Sequence, residues 1–357
     1  MKQRIFWIDH LKAFTIFMVV VGHIISCDAF KSVAGKWTYE NLIIPFHMPI
    51  FAVLSGWFFS AKDSFPVFLK KKTVSILLPY LVWGFLWYFC KPLVSLCMTG
   101  QELHLSTVVW QLRFLLYDGY CLYGWWFLRA LFLCMLLAYI SVEVCKYKML
   151  LAGAGSCIVL YGLMWTGIIT NTPDKDSFLK GFLYLYPFLW TGVAFRNLEQ
   201  KMDNHRKWLF PCSTLVFVVM LFFWKETDSF YAMNTSATEP VGANNITGID
   251  VVWKTVWRYS VGVVGSLALV LLFKQYFVRS VHPLITGIGQ ETLGIYILQS
   301  LVYWSLPNTP FFPALGNIGN FLFALFLSAV IVVVAYFIIR LLSRNKYATL
   351  LLFGKSV

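Results

Sequence analysis

The chain has 357 residues, of which 59% are hydrophobic and 13% are charged, and its formal net charge is +13. Charged residues make up about 25% of an average soluble domain, so this composition excludes a soluble globular protein. Apolar runs long enough to span a bilayer recur along the whole chain and leave no room for a soluble domain between them. The positive charge lies mainly in the segments on one side of these runs, which indicates membrane topology rather than nucleic-acid binding.

Hydropathy predicts an all-α, polytopic membrane bundle of about ten transmembrane helices, in a single domain over residues 1–357. Ten spans put both termini on the same side, and most lysine and arginine residues fall in the segments on that side. We therefore expect both termini in the cytoplasm and the protein in the cell membrane. The predicted spans are 11–28, 41–60, 74–97, 124–144, 149–169, 178–195, 208–224, 254–273, 281–304 and 316–340.

The connecting segments and cysteines add further expectations. Residues 98–123 contain a short apolar piece, Val108 to Tyr117, that predicts an interfacial or re-entrant helix. Residues 225–253 are polar and predict an exposed loop. No internal repeat is apparent, which argues against a transporter built from inverted halves. Cysteines show no paired CxxC spacing and lie mostly in apolar runs (Cys90, Cys97, Cys134, Cys157 and Cys212), so we expect buried thiols rather than a metal site or disulfides.

The first span carries an imidazole. Lys12 and His23 are separated by about 16 Å along a helix and share one face. If Lys12 marks the membrane edge, His23 lies near the middle of a hydrocarbon core about 30 Å thick, where ionisable groups are functional candidates. The alternative is a packing histidine bonded to a nearby carbonyl. Asp9 lies about 21 Å from His23 along the same helix and is expected to pair with Lys12 instead.

The second span places His47 between Pro45 and Pro49. Two prolines four residues apart predict a broken helix, and broken helices at membrane depth are tolerated where they line a cavity. His47 is therefore a site candidate, with a proline kink and a satisfied histidine as the alternative. Ser55 and Gly56 are small enough to allow close helix packing.

Five other residues combine charge or aromatic character with apolar surroundings. Lys71 and Lys72 belong to a lysine cluster before the third span, which is either a topology anchor or a phosphate clamp. Trp126 and Arg129 open the fourth span, where the arginine needs a partner or a wet cavity. Glu291 lies in a glycine-rich, broken ninth span, where it either caps a half-helix or bonds a hydroxylated substrate.

Several common catalytic signatures are missing from the sequence: HExxH, the Walker lysine loop, GxSxG and GxGxxG. What remains is one histidine in an apolar span, flanking basic residues and broken helices. This combination favours general-base chemistry on a hydroxyl, with a phosphate-bearing donor held at the inner face.

At this point the sequence resembles the acyltransferase 3 family of membrane proteins, in its fucose 4-O-acetylase-like branch. The resemblance covers nearly the whole chain through segments in the family's order and spacing. The family often has two arginines three residues apart before the third span, where this chain has Lys72 and Ser75, and often has histidine where this chain has Gln299. We therefore do not expect a bidentate clamp at Lys72 or a base at Gln299. The matching segments are Ile8–Lys12, Val19–His23, Phe46–Gly56, Leu77–Tyr80, Trp126–Leu128, Tyr186–Leu189 and Gly287–Tyr296.

The resemblance implies a membrane O-acyltransferase that moves an acetyl group from acetyl-CoA, used as a substrate with no bound cofactor or metal, to a hydroxyl of a cell-surface glycan or its lipid-linked precursor. His23 would act as the base or as the acyl carrier, and burial favours its neutral form. Asp9 lies on the same face of the first helix as His23 and is the second catalytic candidate. Lys12, Lys71 and Lys72 would face the CoA phosphates. The acceptor would contact His47, Ser55, Trp126, Arg129 and Glu291.

Two other classes fit parts of the sequence. A transporter or flippase for a glycolipid or small solute would use the same broken helices and buried charges. A non-enzymatic membrane scaffold explains the composition but gives no reason for His23 and Glu291 within apolar spans.

Overall fold

A computed structural model describes residues 5–26, 36–87, 109, 125–146, 148–165, 176–229, 248–278, 282–305 and 316–355, and these are helical with no strand among them. Within these ranges, five helices are long and apolar enough to cross a membrane: Phe6–Ser26, Trp126–Val144, Arg206–Phe223, Val252–Tyr276 and Ile318–Leu342. An all-α, multi-pass architecture is therefore confirmed. The count of ten spans and the cytoplasmic termini stay predictions.

The chain forms two compact units. The first comprises Met1–Phe59, Pro187–Met233 and Gly242–Leu341, and the second comprises Ser60–Tyr186, Asn234–Val241 and Leu342–Val357. One domain over residues 1–357 stays a prediction.

The helices, in chain order, are α1 (Phe6–Ser26), α2 (Lys36–Trp57), α3 (Phe65–Lys72), a π-helical turn (Thr73–Leu77), α4 (Leu78–Phe85), α5 (Trp126–Val144), α6 (Met149–Trp165), α7 (Asp176–Asn197), α8 (Glu199–Asn204), α9 (Arg206–Phe223), α10 (Gly248–Tyr276), α11 (Pro283–Gln290), α12 (Thr292–Ser305), α13 (Gly316–Leu342) and α14 (Lys346–Phe353).

Each predicted span contains a helix among its described residues, but the predicted break in the second span is wrong. The helix α2 runs unbroken through Pro45 and Pro49. Neighbouring helices and side chains compensate for the missing proline N–H groups in such helices. The ninth span is broken as expected, because α11 ends at Gln290 and α12 begins at Thr292. The predicted helix at Val108 to Tyr117 and the polar run from Asn234 to Gly248 lie almost wholly outside the described residues.

In the first unit, α1 is the central element and packs against α2, α10, α11 and α12. Leu11, Ile16, Val20 and Val21 are fully buried, since this helix is apolar on most of its circumference. The backbone of α1 also meets α11 directly, because a Cβ at Gly289 would overlap the Asp9 carbonyl oxygen. Close glycine contacts thus fix the glycine-rich start of the ninth span against the first helix.

Close contacts at glycines also join α2 and α7 in the first unit. A Cβ at Gly56 would overlap the Leu189 carbonyl oxygen, and a Cβ at Gly192 would overlap that of Val53. The expectation of close packing at the Ser55-Gly56 pair is therefore confirmed, with the glycine making the contact. By contrast, α9 is largely unburied, with Trp208 77% and Phe222 83% exposed, which suits a helix that faces lipid.

In the second unit, the C-terminal helix α14 docks on α4. Trp83 Nε1 donates a 2.9 Å hydrogen bond to the Leu352 carbonyl oxygen. The helix begins at Asn345, whose side chain accepts from the next backbone N–H groups, and it ends at Gly354 with a φ of 63°. A side chain at Gly354 would also collide with the π-helical turn at Val74 and Ser75. This contact explains why glycine ends the helix.

The described cysteines are free thiols, and their burial varies. Cys134 is buried as expected and Cys157 is partly exposed, but Cys212 is exposed on α9. The expected burial of Cys212 is wrong, because neighbouring helices cover little of the surface of α9. Cys90 and Cys97 lie outside the described residues.

Candidate active site

The imidazole of His23 is held by an amide from the ninth span. His23 lies in the last turn of α1, is partly buried, and its Nδ1 is 2.9 Å from Oε1 of Gln299 on α12. These residues are separated by 276 positions in the chain. The structure therefore brings together the candidate base and a residue that the sequence singled out only as a departure from the family pattern.

Gln299 is itself fixed by its own helix. Only 2% of the residue is exposed, and its Nε2 donates to the Tyr296 carbonyl oxygen at 3.0 Å and to Ser300 Oγ at 2.9 Å. Ser300 Oγ donates in turn to the Tyr296 carbonyl oxygen at 3.2 Å. Both amide protons of Gln299 thus have acceptors within α12, and its carbonyl oxygen is directed at His23.

A second imidazole lies near the first. His47 on α2 is 7% exposed, and its Nδ1–H donates to the Ile43 carbonyl oxygen at 2.9 Å, one turn earlier in the same helix. A Cβ at Gly22, the residue before His23, would lie 3.7 Å from the side chain of Ile43, whose carbonyl binds His47, so α1 and α2 pack together beside the two histidines. The hydrogen bond matches the satisfied-histidine alternative, whereas the neighbourhood of His23 keeps His47 as a candidate for acceptor binding.

The other candidates on α1 lie far from His23 along the helix. Because α1 is continuous, Lys12 is about 16 Å and Asp9 about 21 Å from His23 along its axis. Lys12 Nζ lies 5.5 Å from the centroid of the Phe58 ring. Asp9 is thus too distant to orient the imidazole. The helix begins at Phe6, so Lys12 does not mark its start, and His23 is nearer its end than its middle.

Glu291 lines a cavity at the opposite end of α1 from His23. The cavity has a volume of about 300 Å³, and Glu291 is 8% exposed within it. Thr286 Oγ1 is buried there and finds no hydrogen-bond partner among the described residues. The structure does not bring Glu291 to the imidazole, since eight residues separate it from Gln299. Other lining residues are Phe6, Gly287, Tyr336 and Arg340.

The basic candidates before the third span lie in the second unit. Lys71 Nζ forms an exposed ion pair with Asp63 Oδ2 at 2.8 Å. Lys72 is partly buried, with Nζ 5.6 Å from the Phe68 ring centroid. Burial, and then the charge of Lys71, lower the pKa of Lys72. A cation that is already partly stripped of water binds an anion with less further desolvation, so this position suits a phosphate.

The remaining candidates occupy helix ends or interfaces. Trp126 opens α5 as predicted, and a Cβ at Gly181 of α7 would collide with its indole ring, so the ring lies flat on that glycine. Arg129 is partly buried in the first turn of α5. Ser55 is partly buried on α2. The role of these three residues in acceptor binding stays a prediction.

Sequence reasoning missed two polar groupings in the first unit. The first is Gln299, where the available signal was a lone amide in an apolar helix. The second is Lys274, whose Nζ lies 2.7 Å from Glu199 Oε1 and 2.8 Å from Asp203 Oδ2. An i, i+4 pair of carboxylates on one short helix was the signal for that second grouping.

Comparison with known proteins agrees with this architecture. A family model described as an acyltransferase domain, that of acyltransferase 3, matches residues 5–340. The nodulation protein NolL of Mesorhizobium japonicum is 25% identical over 359 positions, covering 94% of this chain and 86% of that protein. NolL of Sinorhizobium fredii is 26% identical over 238 positions, covering 63% of this chain and 58% of that protein. No solved structure matches the chain. The match over residues 5–340 shows that the chain belongs to the acyltransferase 3 family.

Proposed function

We propose that this protein is an O-acyltransferase of the cell membrane that moves an acetyl group from acetyl-CoA to a hydroxyl of a cell-surface glycan or its lipid-linked precursor. The observation that carries the proposal is His23, an imidazole held at Nδ1 by Gln299 in a chain of the acyltransferase 3 family. An imidazole positioned by a hydrogen bond at one nitrogen is a common arrangement for a general base.

The reaction needs a base for the acceptor hydroxyl. His23 takes the hydroxyl proton while the hydroxyl oxygen attacks the thioester carbonyl carbon. The carbon–sulfur bond then breaks, and the imidazolium returns its proton to the departing CoA thiolate. The proton of the acceptor hydroxyl therefore ends on the thiol of CoA. The reaction balances without a metal or a redox partner.

The donor carries phosphates, and lysines are the candidate partners for them. Lys72 is partly buried with its charge next to that of Lys71, which favours an arriving anion. Lys71 is held by Asp63 in an exposed pair, and such pairs contribute only about 0–1 kcal/mol, so phosphate competes easily. Lys12 is the third candidate.

The acceptor is an uncharged hydroxyl compound, so its site needs hydrogen-bonding groups near His23. His47 is the best placed of the acceptor candidates, because the turn of α2 that binds it packs against α1 next to His23. Membership of an acyltransferase family supports acyl transfer over transport of a glycolipid or solute.

The direct test is His23→Ala in membranes supplied with labelled acetyl-CoA and with the producing cell's surface glycan as acceptor. We expect transfer to fall by about 10²- to 10⁴-fold, the usual contribution of general acid–base catalysis. His205→Ala is the matched control, since His205 is an exposed histidine at the start of α9. It should transfer acetyl like the wild type.

Activity close to wild type in the His23→Ala protein, at equal membrane insertion, would overturn the role of His23. CoA should also raise the melting temperature of the purified protein. A protein that moves the glycolipid but neither cleaves acetyl-CoA nor is stabilised by CoA is a transporter, and that result would overturn the enzymatic function.

A further inference from the structure

We infer that Gln299 is a positioning residue that fixes the tautomer of His23, with the proton on Nδ1 and the reacting lone pair on Nε2. This inference rests on the proposed function, because it names the atom of His23 that acts as the base. It also gives a role to the position where this chain departs from the family pattern.

The orientation of the Gln299 amide follows from its neighbours. A backbone carbonyl can only accept a hydrogen bond, so the amide atom 3.0 Å from the Tyr296 oxygen must be the nitrogen. Ser300 Oγ uses its own proton toward the same carbonyl and therefore accepts the second amide proton at 2.9 Å. A flipped amide would set two oxygens against each other at the Tyr296 carbonyl.

The amide orientation in turn decides the state of the imidazole. The atom of Gln299 that faces His23 is the carbonyl oxygen, which only accepts, so His23 Nδ1 must carry a proton and donate it across 2.9 Å. In a neutral imidazole the other nitrogen, Nε2, then holds the lone pair. The chain of bonds from the Tyr296 carbonyl through Gln299 thereby selects one of two tautomers.

An amide differs from a carboxylate or a second histidine in this place, because it cannot take up the Nδ1 proton. The acceptor proton therefore arrives on Nε2 and leaves from Nε2 to the CoA thiolate, and no proton passes into α12. Gln299 acts through His23 and has no bond-making role of its own, so it is not a catalytic residue.

The test replaces Gln299 by a residue of similar length that cannot accept this hydrogen bond. Gln299→Met should lower kcat by about 10- to 100-fold, the usual cost of losing the group that orients a functional histidine, with KM for acetyl-CoA within about twofold. Gln299→Glu keeps an oxygen for Nδ1–H but adds a negative charge that favours the imidazolium, so the fall of kcat at acidic pH should begin at a higher pH than in the wild type. Ser300→Ala removes only the second amide acceptor and should keep kcat within about threefold.

The kcat-against-KM split and the pH profile of Gln299→Glu separate positioning from packing. A packing defect would lower the melting temperature and affect both kinetic constants, and it would leave the acidic fall of kcat where the wild type has it. If Gln299→Met has wild-type kcat while His23→Ala is inactive, the inference is overturned and the proposed function stands. If His23→Ala is active, the proposed base itself is wrong.

Discussion

Two polar side chains in the first unit show two ways of placing a basic group in apolar surroundings. Lys274 is 4% exposed, and its ammonium contacts two carboxylates, at 2.7 Å from Glu199 and 2.8 Å from Asp203. Two tryptophan rings complete its surroundings, with centroids 5.6 Å and 5.7 Å from Nζ. His23 is less buried, and its Nδ1 is bound by the neutral amide of Gln299.

The difference follows from what each group has to do. A buried ammonium is stable only with opposite charge beside it, and the carboxylates of α8 supply that charge to Lys274. In this charged form Lys274 has no lone pair with which to accept a proton. A general base must be neutral before it accepts a proton. A carboxylate next to His23 would favour the imidazolium, whereas the Gln299 amide orients the ring without adding charge.

The largest expected effect comes from breaking the charge compensation at Lys274. Lys274→Met removes the buried ammonium that pairs with Glu199 and Asp203 and should lower the free energy of unfolding by about 1.5–3 kcal/mol, the range for hydrogen bonds to charged groups. The half-exposed carboxylates place the value toward the lower end of that range. The measurement is thermal unfolding of the purified protein in detergent.

Lys71→Met is the matched control for that prediction. It removes an ion pair of the same 2.8 Å length, but one whose side chains are 62% and 42% exposed. Exposed pairs contribute about 0–1 kcal/mol, so this variant should unfold close to the wild type. Equal losses in the two variants would show that burial does not set the stability of these pairs.

The same comparison explains what the sequence could predict. Apolar runs are local, so hydropathy located a helix at each predicted span, and the lone His23 in such a run identified the candidate base. The partner of that base was not predictable, because Gln299 is 276 residues away and its contact depends on how α12 packs on α1. Lys274 is likewise one of many lysines in the sequence, and only the fold shows that it is buried against α8.

The unbroken helix α2 shows a different limit. Pro45 and Pro49 predicted a break because each removes a backbone donor. The helix nevertheless continues through both prolines, and it is packed closely against α7 through backbone contacts at Gly56 and Gly192. The small residues Ser55 and Gly56 indicated close packing, but the sequence did not indicate that α7 would be the partner.

A smaller effect is expected at Lys72, as a change in pH dependence. Its lowered pKa means that the free enzyme loses this positive charge at a lower pH than an ordinary lysine would require. If Lys72 binds a CoA phosphate, kcat/KM for acetyl-CoA should fall by about tenfold as pH rises through that pKa, since one charge-assisted hydrogen bond is lost. The kcat/KM profile over alkaline pH is the measurement.

Lys72→Arg is the control, because the guanidinium stays charged over this range and should remove the alkaline fall. Lys72→Met should show the reduced kcat/KM at every pH. A profile for Lys72→Met that superimposes on the wild type would exclude the phosphate contact.

The smallest effect is expected at Glu291, a third buried ionisable group in the first unit. It lies at the Asp9 end of α1, because Gly289 packs on the Asp9 backbone, and Asp9 is about 21 Å from His23 along the helix. Glu291→Gln keeps the shape of the side chain and removes its charge. We expect kcat and the KM for the acceptor to change by less than about fourfold, since a charge this distant contributes about 0.8 kcal/mol or less at an effective dielectric constant near 20 or above. Steady-state kinetics with the acceptor varied at saturating acetyl-CoA is the measurement. A large rise in acceptor KM alone would place the acceptor at the Glu291 cavity and would mean that His23 and Gln299 do not mark the acceptor site.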